Sequence, residues 1–185
     1  MNDVSSEKLL DDWILSGKNE IYSRLEKKYD SFLHLTSKSV LGVMLAKYSM
    51  VTTTEKRIRF FGGDHKIRSS LDEINGLIDG KKTKIPDMLV IADDICGGIF
   101  AINNGFVKKV NVGNVMFLPY SALCFEDLGI GHADFVHWCM TCLYNDWLMN
   151  GWKTSENEFI DYKKADEYIL AKLTVLKDLR EEEER

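Results

Sequence analysis

The stretch 88-MLVIADDICGGIFAINNG-105 decides the fold, because it holds two β-rich runs that a turn must separate. The runs are MLVIAD and GIFAIN, and the residues between them, DICG, favour a chain reversal. Asn104-Gly105 is a hairpin signal after the second run, and two further runs flank Pro119 within residues 114–129. Four short strands in succession predict an antiparallel meander.

Both alternating faces of these strands are apolar, so the predicted sheet must be covered on each side. Leu89 and Ile91 alternate with Met88 and Val90, for example. Helices, or a partner protein, are therefore expected on both faces. The predicted partner surface is the face that the chain's own helices leave uncovered, or the edge beside the DDICGG turn.

Asp93 and Asp94 allow two interpretations, a metal-dependent hydrolase site or a turn. Paired carboxylates suit metal-assisted hydrolysis, in which His132 could take part. Consecutive side chains on a strand point to opposite faces, however, and cannot converge on one metal ion. Gly97 and Gly98 suit the positive φ angles of a turn, and no helix opens directly after them to form a phosphate loop. The turn is favoured, so no catalytic residue, metal ligand or cofactor is predicted.

The N-terminal region predicts two helices. Ser5 or Ser6 can cap the first, which has an apolar stripe and is expected to stop at Gly17. The spacing of apolar residues within 19–29 predicts the second.

Two strands are predicted between these helices and the meander. Leu41, Val43 and Leu45 alternate with smaller or polar residues, and KRIRFFGG also alternates before it ends on glycines. Arg57 and Arg59 share one face of the second run. A solvated sheet edge explains these arginines at least as well as a basic binding patch does.

Helical spacing returns after the meander. Residues 132–152 predict a helix that docks on the sheet, and residues 165–179 predict a last helix before the acidic end REEEER. Cys139 and Cys142 lie i, i+3 on the first of these helices, but a closed zinc site needs four ligands and no second Cys-x-x-Cys is present. We interpret both as core cysteines.

Composition indicates one domain that works inside the cell. The chain has 185 residues, 45% of them hydrophobic, and its formal net charge of -5 argues against nucleic acid as the main ligand. The first residues, MNDVSSEKLLDDW, lack the basic and apolar regions of a secretion signal, and no later window resembles a membrane span. The 4 cysteines are too few for a disulfide framework, so we expect thiols.

The chain resembles a bacterial family catalogued only as a domain of unknown function, from about Thr36 to Trp152. The resemblance lies in SVLGVMLAKY, RIRFFGG, MLVIADDICGGIFAINNG and GNVMFLPYSALCFEDLGIGHADFVHW. That family is similar to the SUKH superfamily in an ordered set of motifs: Ile85-Pro86, Asp93 to Gly98, Phe100 to Asn103, Val115 to Leu118 and Asp134-Phe135. The resemblance implies an α+β domain that binds proteins, including toxin-immunity proteins and regulators, and implies no catalysis. The C-terminus departs from the pattern, with a charged helix in place of a proline-containing strand.

The predicted organisation is a single α+β domain at 1–152, in which N-terminal helices and the helix after the meander pack on the antiparallel sheet. A helical, charged C-terminal extension is predicted at 153–185, with a flexible acidic end.

We expect a non-catalytic cytoplasmic module that binds another protein, as toxin-immunity or regulatory proteins do. Its negative net charge would suit a basic toxin as partner. A homo-oligomer is compatible with the sequence. Nucleic acid and membrane partners are not expected. The rival function is the metal-dependent hydrolase. The predicted partner-binding residues are Asp93, Asp94, Gly97, Gly98, Met116, Leu118, Glu126 and Asp127.

Overall fold

A computed structural model describes residues 5–17, 19–25, 29–53, 57–63, 68–78, 85, 87–141 and 161–183. The helices are α1 (Ser6–Ser16), α2 (Val40–Lys47), α3 (Leu71–Ile74), α4 (His132–Met140) and α5 (Tyr162–Glu183). The strands are β1 (Glu20–Arg24), β2 (Tyr48–Thr52), β3 (Ile58–Phe61), β4 (Met88–Asp94), β5 (Ile99–Asn103), β6 (Asn114–Leu118) and β7 (Glu126–Gly131). This is an α+β fold, as predicted.

The strands form one antiparallel sheet whose spatial order follows the chain order from β1 to β7. Val90 of β4 pairs with Ala101 of β5, and Ile99 of β5 pairs with Leu118 of β6. The meander predicted for residues 88–129 is therefore confirmed, and β1 to β3 extend it on one side. Within the described residues β7 has no strand on its outer side, so it is an edge strand.

The connection between β5 and β6 is longer than the tight turn expected at Asn104-Gly105. Residues 104–113 form it, and the side chain of Asn103 organises it from within. The Asn103 Nδ2 donates to the carbonyl of Val110 at 3.0 Å, and its Oδ1 accepts from the N–H of Val107 at 3.0 Å. One buried amide therefore replaces the backbone hydrogen bonds that a short hairpin would have made.

The second predicted helix is wrong, because residues 20–24 form β1. The register pairs Glu20 with Thr52 and Ile21 with Val51 of β2. Cross-strand hydrogen bonds to a neighbouring strand outweigh a weak local helical spacing.

The first predicted strand is also wrong, because residues 40–47 form α2. Ser39 caps this helix by accepting a hydrogen bond from the Gly42 N–H at 3.0 Å. All residues from Val40 to Leu45 are buried. A helix that is apolar all round lacks the polar stripe from which a helical period can be read.

Helices cover both faces of the sheet. On one face the ring of Phe135 in α4 packs against Phe60 and Phe100, at centroid distances of 5.8 and 4.9 Å. On the other face Arg68 forms ion pairs with Asp93 of β4 and with Asp166 of α5. The predicted uncovered face is therefore not found in the described part of the chain, and this expectation is wrong.

The last helix shares the core of the domain. Ile169, Leu173 and Leu176 of α5 are buried in the same hydrophobic cluster as the strands, which confirms the apolar stripe predicted for residues 165–179. The predicted boundary after residue 152 stays a prediction, because residues 142–160 lie outside the described residues.

The helix predicted at 132–152 begins at His132, but α4 ends at Met140, with Thr141 as its C-cap. Cys139 on α4 is buried, as expected. Cys142 lies outside the described residues. No helix among those described combines the length and the apolar character that crossing a membrane requires.

Candidate functional site

The connection between β4 and β5 is a turn built on Asp94. The Asp94 Oδ1 accepts hydrogen bonds from the backbone N–H groups of Cys96 at 2.7 Å and Gly98 at 2.9 Å. Gly97 has a φ of +84°, which other residues rarely adopt. A Cβ atom on Gly98 would lie 2.6 Å from the ring of Phe117. The turn interpretation of DDICGG is confirmed, and its backbone requires both glycines.

The second carboxylate oxygen of Asp94 has no hydrogen-bond partner in the part of the chain that the structure describes. The side chain is 0% exposed, and none of the described residues donates to Oδ2. Burial raises the pKa of Asp94 to about 7, although the two N–H donors act in the opposite direction. The folded protein therefore keeps a proton on Asp94 up to a higher pH than an exposed aspartate would.

Asp93 belongs to a buried ion network on the opposite face of β4 from Asp94. Its carboxylate binds the guanidinium groups of Arg59 and Arg68, with Arg68 Nη1 at 2.8 Å from Oδ1. Arg68 also donates from Nη2 to Asp166 of α5 at 2.6 Å. We call Arg59, Arg68, Asp93 and Asp166 the ion network. All four are buried and their formal charges balance, so Asp93 holds β3, β4 and α5 together.

Aromatic rings complete the surroundings of the ion network. The Arg68 guanidinium lies 3.8 Å from the ring centroid of Phe61, and the ring of Tyr162 lies 5.4 Å from Arg59 and 5.7 Å from Arg68. Stacking on aromatic faces suits the weakly hydrated guanidinium group. The expectation of a solvated edge for Arg59 is wrong, because β3 lies inside the sheet and Arg59 is buried.

The geometry does not bring Asp93 and Asp94 into one hydrolytic site. Asp93 binds arginines, whereas Asp94 accepts from backbone N–H groups of its own turn. His132 follows Gly131, which pairs with Asn114 at the end of the sheet away from that turn. Burial lowers the pKa of His132 to about 4, so its ring is neutral at pH 7. Among the described residues no three His, Cys, Asp or Glu side chains are grouped to hold a metal ion.

Met116 and Leu118 do not form the accessible surface that was expected of them. They are 1% and 0% exposed. Leu118 shares a face with Ile99 and Asp93 through the strand register, and α5 lies over that face. The other predicted contact residues of the turn are buried as well: Asp93, Asp94, Gly97 and Gly98. The prediction of direct partner contact is corrected for these six residues.

Glu126 and Asp127 are the predicted contact residues that are exposed. They begin the edge strand β7, directly after a loop in which Tyr120 is 48% and Leu123 is 56% exposed. We call these four residues the acidic edge surface. Asp127 also accepts a hydrogen bond from the Gly129 N–H at 2.8 Å, so part of its role is structural.

The helix α5 fixes the loop that carries this surface. The ammonium group of Lys172 donates to the carbonyls of Pro119 and Tyr120, both at 2.6 Å, and the Tyr168 hydroxyl donates to the Tyr120 carbonyl at 3.0 Å. Burial lowers the pKa of Lys172 to about 8. Sequence reasoning missed Lys172, although its i, i+4 spacing from Tyr168 was the signal that the two share a helix face.

Comparisons with known proteins identify a family but no activity. No solved structure matches the chain. The uncharacterized protein YbfG of Escherichia coli (strain K12) is 27% identical over 114 residues, an alignment that covers 59% of this chain. The same alignment covers 49% of that relative, so the chain spans about half of its length. The family model described as protein of unknown function DUF2625 matches residues 7–169, from the first helix into the last, and the chain therefore belongs to this family.

Proposed function

We propose that this chain is a non-catalytic protein-binding module of the cytoplasm, which recognises a basic protein through the acidic edge surface. The observation that carries the proposal is the exposure of two large apolar side chains, Tyr120 and Leu123, in the loop that leads directly into the exposed residues Glu126 and Asp127. Aromatic and aliphatic anchors with a charged rim are typical of protein interfaces.

Charge supports a cationic partner. The chain has a net charge of -5, and opposite charges accelerate association and favour the matching partner. Two copies of the acidic edge surface would repel each other, so a homo-oligomer would have to form through another part of the molecule. Nucleic acid, which is itself anionic, does not match this surface.

The resemblance to the SUKH superfamily supports a role in toxin immunity or in regulation. A cationic toxin, such as a nuclease, would match the acidic edge surface. The rival proposal of a hydrolase is disfavoured by the geometry, because Asp93 and Asp94 point to opposite faces of β4 and each is engaged in structural contacts.

Site-specific photo-crosslinking in bacterial cells tests the proposal. A photoreactive amino acid at Leu123 should give one discrete protein adduct, whereas the same probe at Val112, which is 68% exposed in the loop between β5 and β6, should not. The adduct should weaken several-fold with Glu126→Lys but not with Glu182→Lys, a matched change of an exposed glutamate on α5.

The purified partner should then bind more weakly as the ionic strength rises, because salt screens exposed charges. Identical adducts from both probe positions would contradict the proposal. So would an adduct from Leu123 that Glu126→Lys leaves unchanged.

A further inference from the structure

A cavity lies between the edge strand β7 and α4. Its volume is about 430 Å³, and the described residues that line it are Leu128, Ile130, Asp134 and Trp138. Cavities of this size fall in the range that proteins use for ligands and anchor side chains. Among these described lining residues three are apolar and one is an acid, so this part of the cavity combines a hydrophobic wall with a negative charge.

The carboxylate of Asp134 is available to an incoming group. Asp134 is exposed and lies in the first turn of α4, where a negative charge is favourable. Within the described part of the chain no cation forms an ion pair with it. A positively charged ligand group would therefore meet a carboxylate at the wall of the cavity.

One residue of the acidic edge surface, Glu126, lies on the same side of the sheet as the cavity. Glu126 pairs with Phe117 in the strand register and so shares its face of the sheet. The ring of Phe117 stacks on Phe100, which in turn contacts Phe135 of α4. Glu126 thus lies on the face that α4 covers, and it adds a second exposed carboxylate on the same side as the cavity.

The outer edge of β7 is unsuited to pairing with a strand of another protein. Gly129 has a φ of +70°, and its N–H is taken by the side chain of Asp127 at 2.8 Å. Irregular backbone and acidic side chains protect edge strands against strand addition. A partner is therefore expected to enter this region with a side chain.

We propose that the cavity takes an arginine side chain of the partner protein. The inference rests on the proposed function and adds the identity of the anchor residue. An arginine has an aliphatic stem that suits Leu128 and Ile130, and a planar cation that suits both the ring of Trp138 and the carboxylate of Asp134. A guanidinium group can bind a carboxylate with two hydrogen bonds, which the ammonium group of lysine cannot match.

Two short peptides that differ only at one residue test the inference. One contains arginine, and the other contains citrulline, its uncharged analogue of similar shape. The arginine peptide should shift the backbone amide signals of Leu128, Ile130 and Trp138 in NMR spectra of the full chain, and it should bind at least about tenfold more tightly than the citrulline peptide. Asp134→Asn should abolish this difference, and Asp178→Asn, an exposed change on α5, should preserve it.

Equal binding of the two peptides to the unaltered protein would overturn the inference, and so would signal changes confined to other residues or none up to the solubility limit. The comparison of peptides needs no variant, so misfolding of Asp134→Asn could not obscure the result. A Leu123 adduct that depends on Glu126, found together with failed peptide binding, would remove the arginine anchor and leave the protein-binding function standing.

Discussion

Replacing Asp94 by Asn should remove a large part of the pH dependence of the protein's stability between pH 5 and pH 8. The folded protein holds the Asp94 proton up to a pKa of about 7, whereas an unfolded chain loses it near the ordinary value of 3.8. A raised carboxyl pKa stabilises the folded state fully below the unfolded value, and this stabilisation is lost as the pH rises through the folded value.

The size of the effect follows from these two values. One pKa unit corresponds to about 1.4 kcal/mol, so the interval from 3.8 to about 7 corresponds to about 4 kcal/mol of unfolding free energy. About 2.5 kcal/mol of this should be lost between pH 5 and pH 7.5. Asparagine keeps the oxygen that accepts from Cys96 and Gly98, but it carries no charge to desolvate.

Urea denaturation at several pH values measures the effect. The free energy of the unaltered protein minus that of Asp94→Asn should fall as the pH rises, and contributions from groups that the Asp94 charge does not influence, such as His132, cancel in this difference. The matched variant Asp178→Asn, an exposed change on α5, should give a difference that is flat with pH. A flat difference for Asp94→Asn as well would show that the buried carboxylate does not titrate as its surroundings imply.

The other two predictions also concern buried groups. Asp93→Ala should cost about 3–5 kcal/mol, because it removes the carboxylate from the buried cations Arg59 and Arg68, and a loss below about 1 kcal/mol in urea denaturation would contradict the structural role of the ion network. Gly98→Ala should lower the thermal midpoint more than Gly131→Ala does, because a Cβ at Gly98 meets the ring of Phe117 and the carboxylate of Asp94, whereas Gly131 has a φ of -79° and no described atom within 4 Å of an added Cβ; the reverse order would remove the packing argument.

Sequence patterns predicted the part of the fold whose signals are local. The strands of the meander have β-rich runs, and Gly97, Gly98 and Pro119 mark the reversals between them. The two elements that were predicted wrongly, α2 and β1, lack such local signals. Because α2 is buried, its sequence has no polar stripe that would mark a helical period. Strand β1 is defined by its pairing with β2 instead of by its own residues.

The predictions of candidate site residues were also right where the signal was local and wrong where it was tertiary. Glu126 and Asp127 were placed correctly at an exposed edge, because charged residues beside a loop usually stay in solvent. The sequence could not show that Asp93 belongs to the ion network, since Arg68 and Asp166 are 98 positions apart and no local pattern links them. Met116 and Leu118 were misplaced because the path of α5 over the sheet is a tertiary property.

The ion network has a consequence for synthesis on the ribosome. Arg59, Arg68 and Asp93 leave the ribosome well before Asp166, and until then two guanidinium groups share one carboxylate. Burying that excess positive charge is costly, so this half of the sheet should stay hydrated until the last helix arrives. A chain that terminates early, before α5, would keep the imbalance permanently. Premature termination should therefore yield a partly open product that proteases remove, instead of a shortened but folded domain.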